Sequence, residues 1–439
     1  MLESQLSMSK NSVGISRADL GTFKASLRAP IHRWFTYPAG FSYQGVEEAF
    51  KLYTIRSGMT VYEPFAGTAT TNIVAQKQGI HSFGIEAHPF VHFVGQTKLF
   101  WQFDVLLLHR QIDSLVSEIR SAINLQEFQI EAVFPELVRK CYSPTKLARL
   151  WVCREVILAL PASPFRNLAK LGLTNILRTL ADVETGWPYI APNKPKASSS
   201  DVLGALYNQL YLMAGDIAQT LQQTSVGANT LFIAGDSRQR HTIIEDSSVD
   251  LSFTSPPYLN NYDYADRTRL ETYFWGEAKS WSDITEKVRN KLIMSATTQA
   301  QRSGFNKNWA ISTKLCTIAP DIAATLQDKV TQLAELRQAK GGKKSYDMMV
   351  AGYFNDMLPV LHETYRVLKP GAAFVLILGD SAPYGVHVPT DVYLGEIGVA
   401  IGFKRYEVED LRVRGGKWKN NPQRHKVTLK ESILTLFKN

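Results

Sequence analysis

Short apolar runs recur along the chain, and each one ends in a polar or small residue. The runs are Met59–Tyr62, Ser82–Ile85, Thr230–Ala234, Val249–Phe253 and Ala373–Leu378. A helix is predicted near 44–56, before the first run, and stretches with helical character lie between several of the runs, as at 70–79 and 350–368. Strands that alternate with helices are typical of a parallel sheet with helices on both faces. We therefore predict an α/β fold with a doubly wound, mostly parallel sheet.

Two later runs and two long intervals complete the pattern. Lys404–Val408 and Ser432–Phe437 are predicted to close the sheet as a hairpin. Residues 90–229 are predicted to form a large helical insertion, because apolar residues recur there at helical spacing. The series is Leu106, Leu108, Ile112, Leu115 and Ile119. Within this interval, Ala191–Ser200 is rich in Pro, Lys and Ser and is predicted to be an exposed loop. Residues 276–345 are polar, basic and poor in strand signals.

Positive charge is concentrated in two segments. The net charge of the chain is +9, with 45% hydrophobic and 20% charged residues, which is a globular composition. Residues 276–345 contain 12 Lys and Arg against 6 Asp and Glu, and residues 404–430 contain 9 against 3. Such a surplus suits a polyanionic partner, although a solvated charged face gives the same pattern.

The cysteines and the apolar content exclude several classes of protein. The three cysteines are Cys141, Cys153 and Cys316, and none forms a Cys-x-x-Cys pair. Neither a zinc knuckle nor a disulfide framework is indicated, and we predict no metal site. No apolar run is long enough to cross a bilayer, and Met1–Lys24 lacks the apolar core of a signal peptide. We therefore expect a cytoplasmic protein without a membrane partner.

The first candidate site is a turn of small residues between a strand and a helix, within Val61–Thr71. Small residues let a ligand approach the backbone closely, and the first turn of a helix has free N–H groups. Glu63 ends the strand, at the position where open α/β sheets bind ligands. The candidate residues of the turn are Phe65, Ala66, Gly67, Thr68, Ala69 and Thr70. Taken alone, this turn is equally compatible with a purely structural connection.

Two further acids end predicted strands. Glu86 follows the second strand, about 20 residues after the glycine turn, where nucleotide-binding sheets place the carboxylate that binds ribose hydroxyls. Asp236 follows the third strand, and a carboxylate there can accept a hydrogen bond from an adenine amino group. The structural alternatives are an exposed loop acid for Glu86 and a Gly-Asp-Ser turn for Asp236. His88 is predicted to lie at the surface.

The segment Asp250–Tyr258 has the greatest chemical content. Its apolar strand ends in Thr254, Ser255, Pro256, Pro257 and Tyr258. Each proline fixes φ and removes an N–H donor, so this elbow is stiff and presents carbonyl acceptors, to which the Ser255 hydroxyl adds another. Such acceptors suit an amino group that donates both hydrogens, which localises the nitrogen lone pair for attack on a methyl sulfonium. Tyr258 offers a ring on which an everted base can stack. A Pro-Pro turn that only closes a strand is the structural alternative.

Together these motifs resemble those of the DNA amino-methyltransferases, in particular those with a Thr-Ser-Pro-Pro-Tyr loop, many of which form N4-methylcytosine. The resemblance rests on the aromatic lead-in Tyr37–Phe41, the turn Phe65–Thr70, Glu86, Asp236, the loop Thr254–Tyr258, and the late Val367–Gly371 before an apolar strand. It covers residues 32–90, 230–275 and 346–439. One departure is Ala69, where the family usually has glycine.

The resemblance implies a fold, a cofactor and a partner. The fold would be the Rossmann-like fold of S-adenosylmethionine-dependent methyltransferases. Phe65–Thr70 would hold the methionine part of S-adenosylmethionine, Glu86 the ribose and Asp236 the adenine amino group, with Tyr37–Phe41 near the methionine end. The partner would be double-stranded DNA. A companion restriction or defence protein is compatible with the resemblance, and the oligomeric state is left open.

The implied reaction is direct transfer of a methyl group to the exocyclic N4 of cytosine, with Ser255, Pro256, Pro257 and Tyr258 as catalytic residues. No covalent adduct to the base is needed. None of the cysteines follows a proline, as the nucleophile of cytosine-C5 enzymes does. The alternatives are methylation of adenine N6, methylation of RNA, and a scaffold that binds nucleic acid and has lost catalysis.

The intervals also predict the domain organisation. Residues 1–90, 230–275 and 346–439 would form the methyltransferase domain. Residues 91–229 would form the helical insertion, a candidate for target recognition, and residues 276–345 a basic insertion in contact with DNA. The basic segments 276–345 and 404–430 are the candidates for holding the distorted duplex.

Overall fold

In a computed structural model of the chain, residues 19–123, 133–186, 189–223, 227–300, 311–414 and 427–439 are described. The strands are β1 (Thr60–Glu63), β2 (His81–Glu86), β3 (Val183–Glu184), β4 (Ala191–Pro195), β5 (Thr230–Ala234), β6 (Val249–Thr254), β7 (Leu368–Gly379), β8 (Arg405–Arg414) and β9 (Leu429–Phe437). Seven of them form one sheet in the order β5-β2-β1-β6-β7-β9-β8. The first five in this order are parallel, and β9 runs antiparallel to both β7 and β8. The predicted mostly parallel sheet and its closing hairpin are therefore confirmed.

Helices cover both faces of this sheet and fill the long intervals. They are α1 (Tyr43–Leu52), α2 (Thr70–Lys77), α3 (Pro89–Lys98), α4 (Val105–Ile123), α5 (Glu136–Cys141), α6 (Pro144–Ala159), α7 (Pro164–Leu180), α8 (Val202–Gln223), α9 (Tyr264–Arg267), α10 (Arg269–Phe274), α11 (Trp281–Lys287), α12 (Thr313–Ile318), α13 (Pro320–Ala339), α14 (Tyr346–Val367) and α15 (Thr390–Ile401). No helix within the described ranges is long and apolar enough to span a membrane.

The core of the sheet follows the alternation of side chains along each strand. In β7, Phe374, Leu376 and Leu378 pack against α13, α14 and α15, whereas Val375 and Ile377 pack on the opposite face against α1 and α2. All five side chains are buried. Because both faces are covered, the central strands are apolar along nearly their whole length.

The helical insertion lies between β2 and β5, which pair directly with each other in the sheet. Leu108, Ile112, Leu115 and Ile119 are buried along α4, as predicted, but Leu106 is 71% exposed and does not belong to this apolar face. The predicted loop at Ala191–Ser200 is largely exposed. It is, however, not wholly a loop, because Ala191–Pro195 forms the strand β4 beside β3.

The parallel strands end together on one side of the sheet. The last residues of β1, β2, β6 and β7 are Glu63, Glu86, Thr254 and Gly379. We call this side the carboxyl edge and the opposite side the amino edge. Strand order reverses at β1, because β2 and β5 lie on one side of it and β6 and β7 on the other. Open α/β sheets bind their ligands outside the carboxyl ends of strands at such a reversal.

Candidate active site

A cavity of about 810 Å³, which includes space open to solvent, lies at this reversal on the carboxyl edge. It is lined by Tyr37, Ala39, Gly40, Phe41, Pro64, Phe65, Ala66, Gly67, Thr68, Thr70, Ile85, Glu86, Ala87, His88, Asp236, Ser237, Ser255, Pro257, Tyr264, Lys291, Leu292 and Ile293. The lead-in and all four sequence motifs therefore meet around one space.

The turn of small residues after β1 has the tight backbone that its sequence indicates. Gly67 and Ala69 both have left-handed backbone conformations, with φ of +54° and +67°. Side chains avoid this region, and the cost for alanine is about 1–2 kcal/mol. The Ala66 N–H donates to the Ile85 carbonyl at 2.9 Å, which fixes the turn to the end of β2. The resemblance leads us to expect glycine at position 69. Ala69 adopts the same left-handed backbone that glycine would, and its backbone is therefore strained.

Glu86 holds the turn and also faces the cavity. Its Oε2 accepts a hydrogen bond from the Gly67 N–H at 2.8 Å, and its Oε1 accepts from the His88 N–H at 2.7 Å. Each carboxylate oxygen has two lone pairs, so each can accept one more hydrogen bond from a ligand. Burial raises the pKa of Glu86 to about 7, although these backbone N–H groups oppose the shift. This carboxyl therefore fits two neighbouring hydroxyl donors such as those of a ribose.

Glu63 is fully buried behind the turn and does not line the cavity. Burial raises its pKa well above the ordinary value, and the hydroxyl and N–H of Thr71 oppose this shift. Within the described residues, no hydrogen bond of normal geometry reaches either carboxyl oxygen. Its direct contact with the cofactor stays a prediction, and the structure places it as a support for the turn.

Asp236 lines the cavity but is already engaged. Arg238 donates to both of its carboxylate oxygens through Nε, Nη2 and the backbone N–H, at 2.6–3.0 Å. Arg238 also reaches Asp356 at 3.1 Å and the Lys291 carbonyl at 3.2 Å. An adenine amino group would therefore share or replace one contact of Arg238, and the adenine role of Asp236 stays a prediction.

The elbow after β6 is only partly exposed to the cavity. Ser255 and Pro257 line it, whereas Pro256 and Tyr258 are buried beside it. The Tyr258 hydroxyl donates to Glu431 Oε1 at 2.9 Å, and Arg412 Nε donates to the other oxygen of Glu431 at 2.7 Å. Tyr258 is thus fixed to β9, and its role as the surface for a stacked base stays a prediction.

Sequence reasoning missed several residues of the cavity wall. His88 was predicted at the surface, but it is 2% exposed. Its Nε2 is hydrogen-bonded to Thr268 Oγ1 at 2.7 Å, and the residue lines the cavity. Tyr264 was not missed outright: it lies in Leu259–Glu271, whose polar and aromatic residues equally favour a base pocket, a contact with the target strand or an ordinary helix. It lines the cavity, and its hydroxyl accepts from the Tyr258 N–H at 3.4 Å. Lys291–Ile293 carry no motif that would have identified them.

Comparisons with known proteins agree with this geometry. No protein-family model matches the chain. It is 24% identical over 450 residues to the Type II methyltransferase M.BsoBI of Geobacillus stearothermophilus. The matched region covers 94% of this chain and 87% of that protein. It is 25% identical over 417 residues to the Type II methyltransferase M.AvaI of Nostoc sp. (strain PCC 7120 / SAG 25.82 / UTEX 2576), covering 87% and 81%. The Type II methyltransferase M.MvaI of Kocuria varians is 20% identical over 457 residues, covering 96% and 93%.

The residues of the cavity fit S-adenosylmethionine. The left-handed turn at Gly67 lets a ligand approach the backbone, and Glu86 keeps acceptor positions for ribose hydroxyls. Tyr37 and Phe41 supply apolar walls at the other side of the turn. With the seven-stranded sheet and relatives that are all methyltransferases, these features lead to one conclusion: the chain is an S-adenosylmethionine-dependent methyltransferase.

Proposed function

We propose that this methyltransferase modifies double-stranded DNA at a specific site, on the exocyclic N4 of cytosine. The observation that carries the proposal is that Ser255 and Pro257 line the same cavity as Gly67 and Glu86. An elbow of acceptors that faces a cofactor cavity suits an amino group as the methyl acceptor. The similarity to Type II methyltransferases along 87–96% of the chain supports a DNA substrate.

In the proposed mechanism, the cofactor supplies an electrophilic methyl group when it is bound. The two prolines fix the backbone of the elbow, so its carbonyl groups and the Ser255 hydroxyl can accept both hydrogens of the amino group. The nitrogen lone pair is then withdrawn from the ring of the base and can form the bond to the methyl carbon, while the carbon–sulfur bond would break and leave its electron pair on sulfur. The amino group releases one proton to water after the transfer, which restores a neutral base.

The surfaces that would hold the everted base come from the elbow and the segment after it. Pro257 and Tyr264 line the cavity beside Ser255. Asp263 caps α9 by accepting from the N–H groups of Ala265 and Asp266, at 3.1 and 3.3 Å, and it pairs with the buried Arg289 at 2.8 Å. Tyr264 is therefore held in place, and a rigid aromatic wall lowers the cost of ordering a base.

The test is to incubate the purified chain with methyl-labelled S-adenosylmethionine and, in parallel reactions, unmodified duplex DNA or RNA, and to identify the labelled nucleoside by mass spectrometry. N4-methylcytosine is the expected product. N6-methyladenine would move the target to the adenine alternative, and label in RNA but not in DNA would overturn the proposed substrate. Cofactor binding without transfer to any nucleic acid would identify a scaffold.

Substitution of the elbow serine tests the mechanism separately. In Ser255→Ala we expect kcat to fall about 10²–10³-fold, the usual cost of removing one hydrogen-bonding group that acts in the transition state. The affinity for S-adenosylmethionine should be nearly unchanged. Ser237→Ala is the matched control, because Ser237 lines the same cavity outside the elbow and should keep kcat. Equal losses of kcat in both variants would contradict the role of the elbow.

A further inference from the structure

A second feature of the carboxyl edge lies one strand away from the elbow. The helix α14 runs directly into β7, so its first residue, Tyr346, lies near the carboxyl edge, where β7 ends at Gly379. Five residues after Gly379, Tyr384 meets Tyr346 edge to face, with ring centroids 4.7 Å apart and an interplanar angle of 89°. The loop before α14 contains Lys340, Lys343 and Lys344. We call these three lysines and two tyrosines the lysine corner.

The lysine corner adjoins the elbow through the end of β7. A Cβ atom at Gly379 would lie 3.2 Å from the ring of Tyr258, so the elbow packs directly on this strand end. The Arg414 guanidinium lies 5.2 Å from the same ring and donates to the carbonyl of Asp380 at 3.2 Å. Tyr384 therefore lies five residues along the chain from the strand end on which the elbow packs.

The charge of the lysine corner is not compensated. All three lysines are exposed, and none forms an ion pair with another residue that the structure describes. The nearest charged neighbours, Arg337 and Asp347, pair with each other at 3.1 Å. Lys340 and Lys344 instead lie 5.4 Å and 5.8 Å from the rings of Tyr384 and Tyr346. Cation–π contact of this kind orients an ammonium group and leaves its charge available.

The backbone of the lysine corner is unusual as well. Gly341 and Gly342 have φ of +82° and +76°, which turns the loop back and presents Lys343 and Lys344. Tyr384 has φ of +50°, a conformation that residues with side chains rarely adopt. Strained residues of this type cluster at functional sites, where the surrounding structure holds them.

We propose that the lysine corner binds the phosphate backbone of double-stranded DNA beside the target base. The proposal rests on the DNA substrate proposed above and goes beyond it by assigning a contact surface. An enzyme that everts a base must hold the distorted duplex next to the gap. Three uncompensated ammonium groups one strand from the elbow match a row of phosphates, and their contribution is independent of the DNA sequence.

The test compares two triple variants of the full chain. Lys340→Gln, Lys343→Gln and Lys344→Gln together remove the charge of the lysine corner. Arg28→Gln, Lys51→Gln and Arg56→Gln together remove the same charge from exposed positions outside both basic segments. Both should keep the thermal stability and the S-adenosylmethionine affinity of the wild type. DNA affinity is measured at 50 and 200 mM salt with duplexes that contain and lack the target site.

We expect only the lysine-corner variant to lose affinity, equally for both duplexes, while kcat at saturating DNA is retained. Each phosphate contact contributes about 0.9 to the slope of log affinity against log salt, so the slope should fall by about 2.7. The ratio of wild-type to variant DNA affinity should therefore fall roughly 40-fold between about 50 and 200 mM salt. An unchanged slope of log affinity against log salt, or equal losses of DNA affinity in the two triple variants, would contradict the role of the lysine corner. Either result would leave the proposed DNA substrate unaffected. If the wild type neither binds nor methylates DNA, the proposed function fails first.

Discussion

Buried carboxylates differ between the helical insertion and the carboxyl edge. Asp216 on α8 is 1% exposed and accepts hydrogen bonds from the Ile31 N–H, the Arg33 guanidinium and the Trp34 indole. Glu63 is equally buried, but the groups that act on it are the neutral hydroxyl and N–H of Thr71. Glu86 accepts from two backbone N–H groups, and its pKa is about 7. Buried charge that is fully paired serves stability, whereas poorly paired carboxyl groups mark sites that can use a ligand's donors.

Backbone strain shows the same division. Among the described residues, the non-glycine residues with left-handed backbone are Ile31, Thr54, Ala69, Ser247, Asn260 and Tyr384. None lies between 91 and 229, and Ala69, Asn260 and Tyr384 all lie at the carboxyl edge. The described part of the insertion therefore has the more relaxed backbone, whereas the carboxyl edge holds three strained residues, as functional sites commonly do.

The largest expected effect is on stability, and it tests the buried, fully hydrogen-bonded carboxylate of Asp216. Asp216→Ala should lower the free energy of unfolding by about 3–5 kcal/mol, because it leaves Ile31, Arg33 and Trp34 without their acceptor. Urea denaturation measures this loss. Asp113→Ala is the control, since Asp113 is an exposed aspartate of the same insertion with one hydrogen bond, from Tyr211 at 2.8 Å. A similar loss in both variants would remove the distinction between paired burial and simple surface charge.

The next effect concerns the poorly paired side. If ribose hydroxyls donate to Glu86, they favour its ionised form, so cofactor affinity should fall as the pH falls through about 7. Between pH 8 and pH 6 the expected decrease is about tenfold, or roughly 1.4 kcal/mol. Glu86→Gln should bind S-adenosylmethionine more weakly and without this pH dependence, which calorimetry at both pH values can measure. A flat profile in the wild type would mean that ionised Glu86 does not receive the ribose.

The smallest effect concerns strain. Ala69→Gly should relieve the left-handed backbone and raise the free energy of unfolding by less than about 1 kcal/mol, because the greater flexibility of glycine in the unfolded chain offsets part of the gain. Thermal denaturation measures the shift, with Ala75→Gly inside α2 as the control that should destabilise the protein. Destabilisation by Ala69→Gly as large as that of the control would show that the turn is not strained.

Much of the sheet could be predicted because buried parallel strands are short apolar runs with polar ends. One exception is the start of β7, which begins at Leu368, five residues before the predicted run. Lys369, Pro370 and Gly371 interrupt the apolar pattern, yet the strand continues through them with a register shift opposite Val249 and Leu251. Pairing with a neighbouring strand decided this boundary, and pairing is not visible in a local pattern.

The site could be predicted where strand ends carry it, and not where distant segments complete it. Gly67, Glu86, Asp236 and Ser255 each follow a strand, and parallel strand ends must meet at one edge. Glu431 lies 173 residues from Tyr258, which it holds, and nothing in its local sequence indicates that contact. The engagement of Asp236 by Arg238 likewise depends on side-chain geometry that spacing alone does not determine.

The position of β9 has a consequence for synthesis of the protein on the ribosome. Among the described strands β9 is translated last, yet it inserts between β7 and β8 and carries the glutamate that holds Tyr258. A nascent chain can form the turn at Gly67 and the β1–β2 pair long before Glu431 emerges. Because Glu431 belongs to this last strand, its hydrogen bond to Tyr258 forms only after β9 has emerged and joined the sheet.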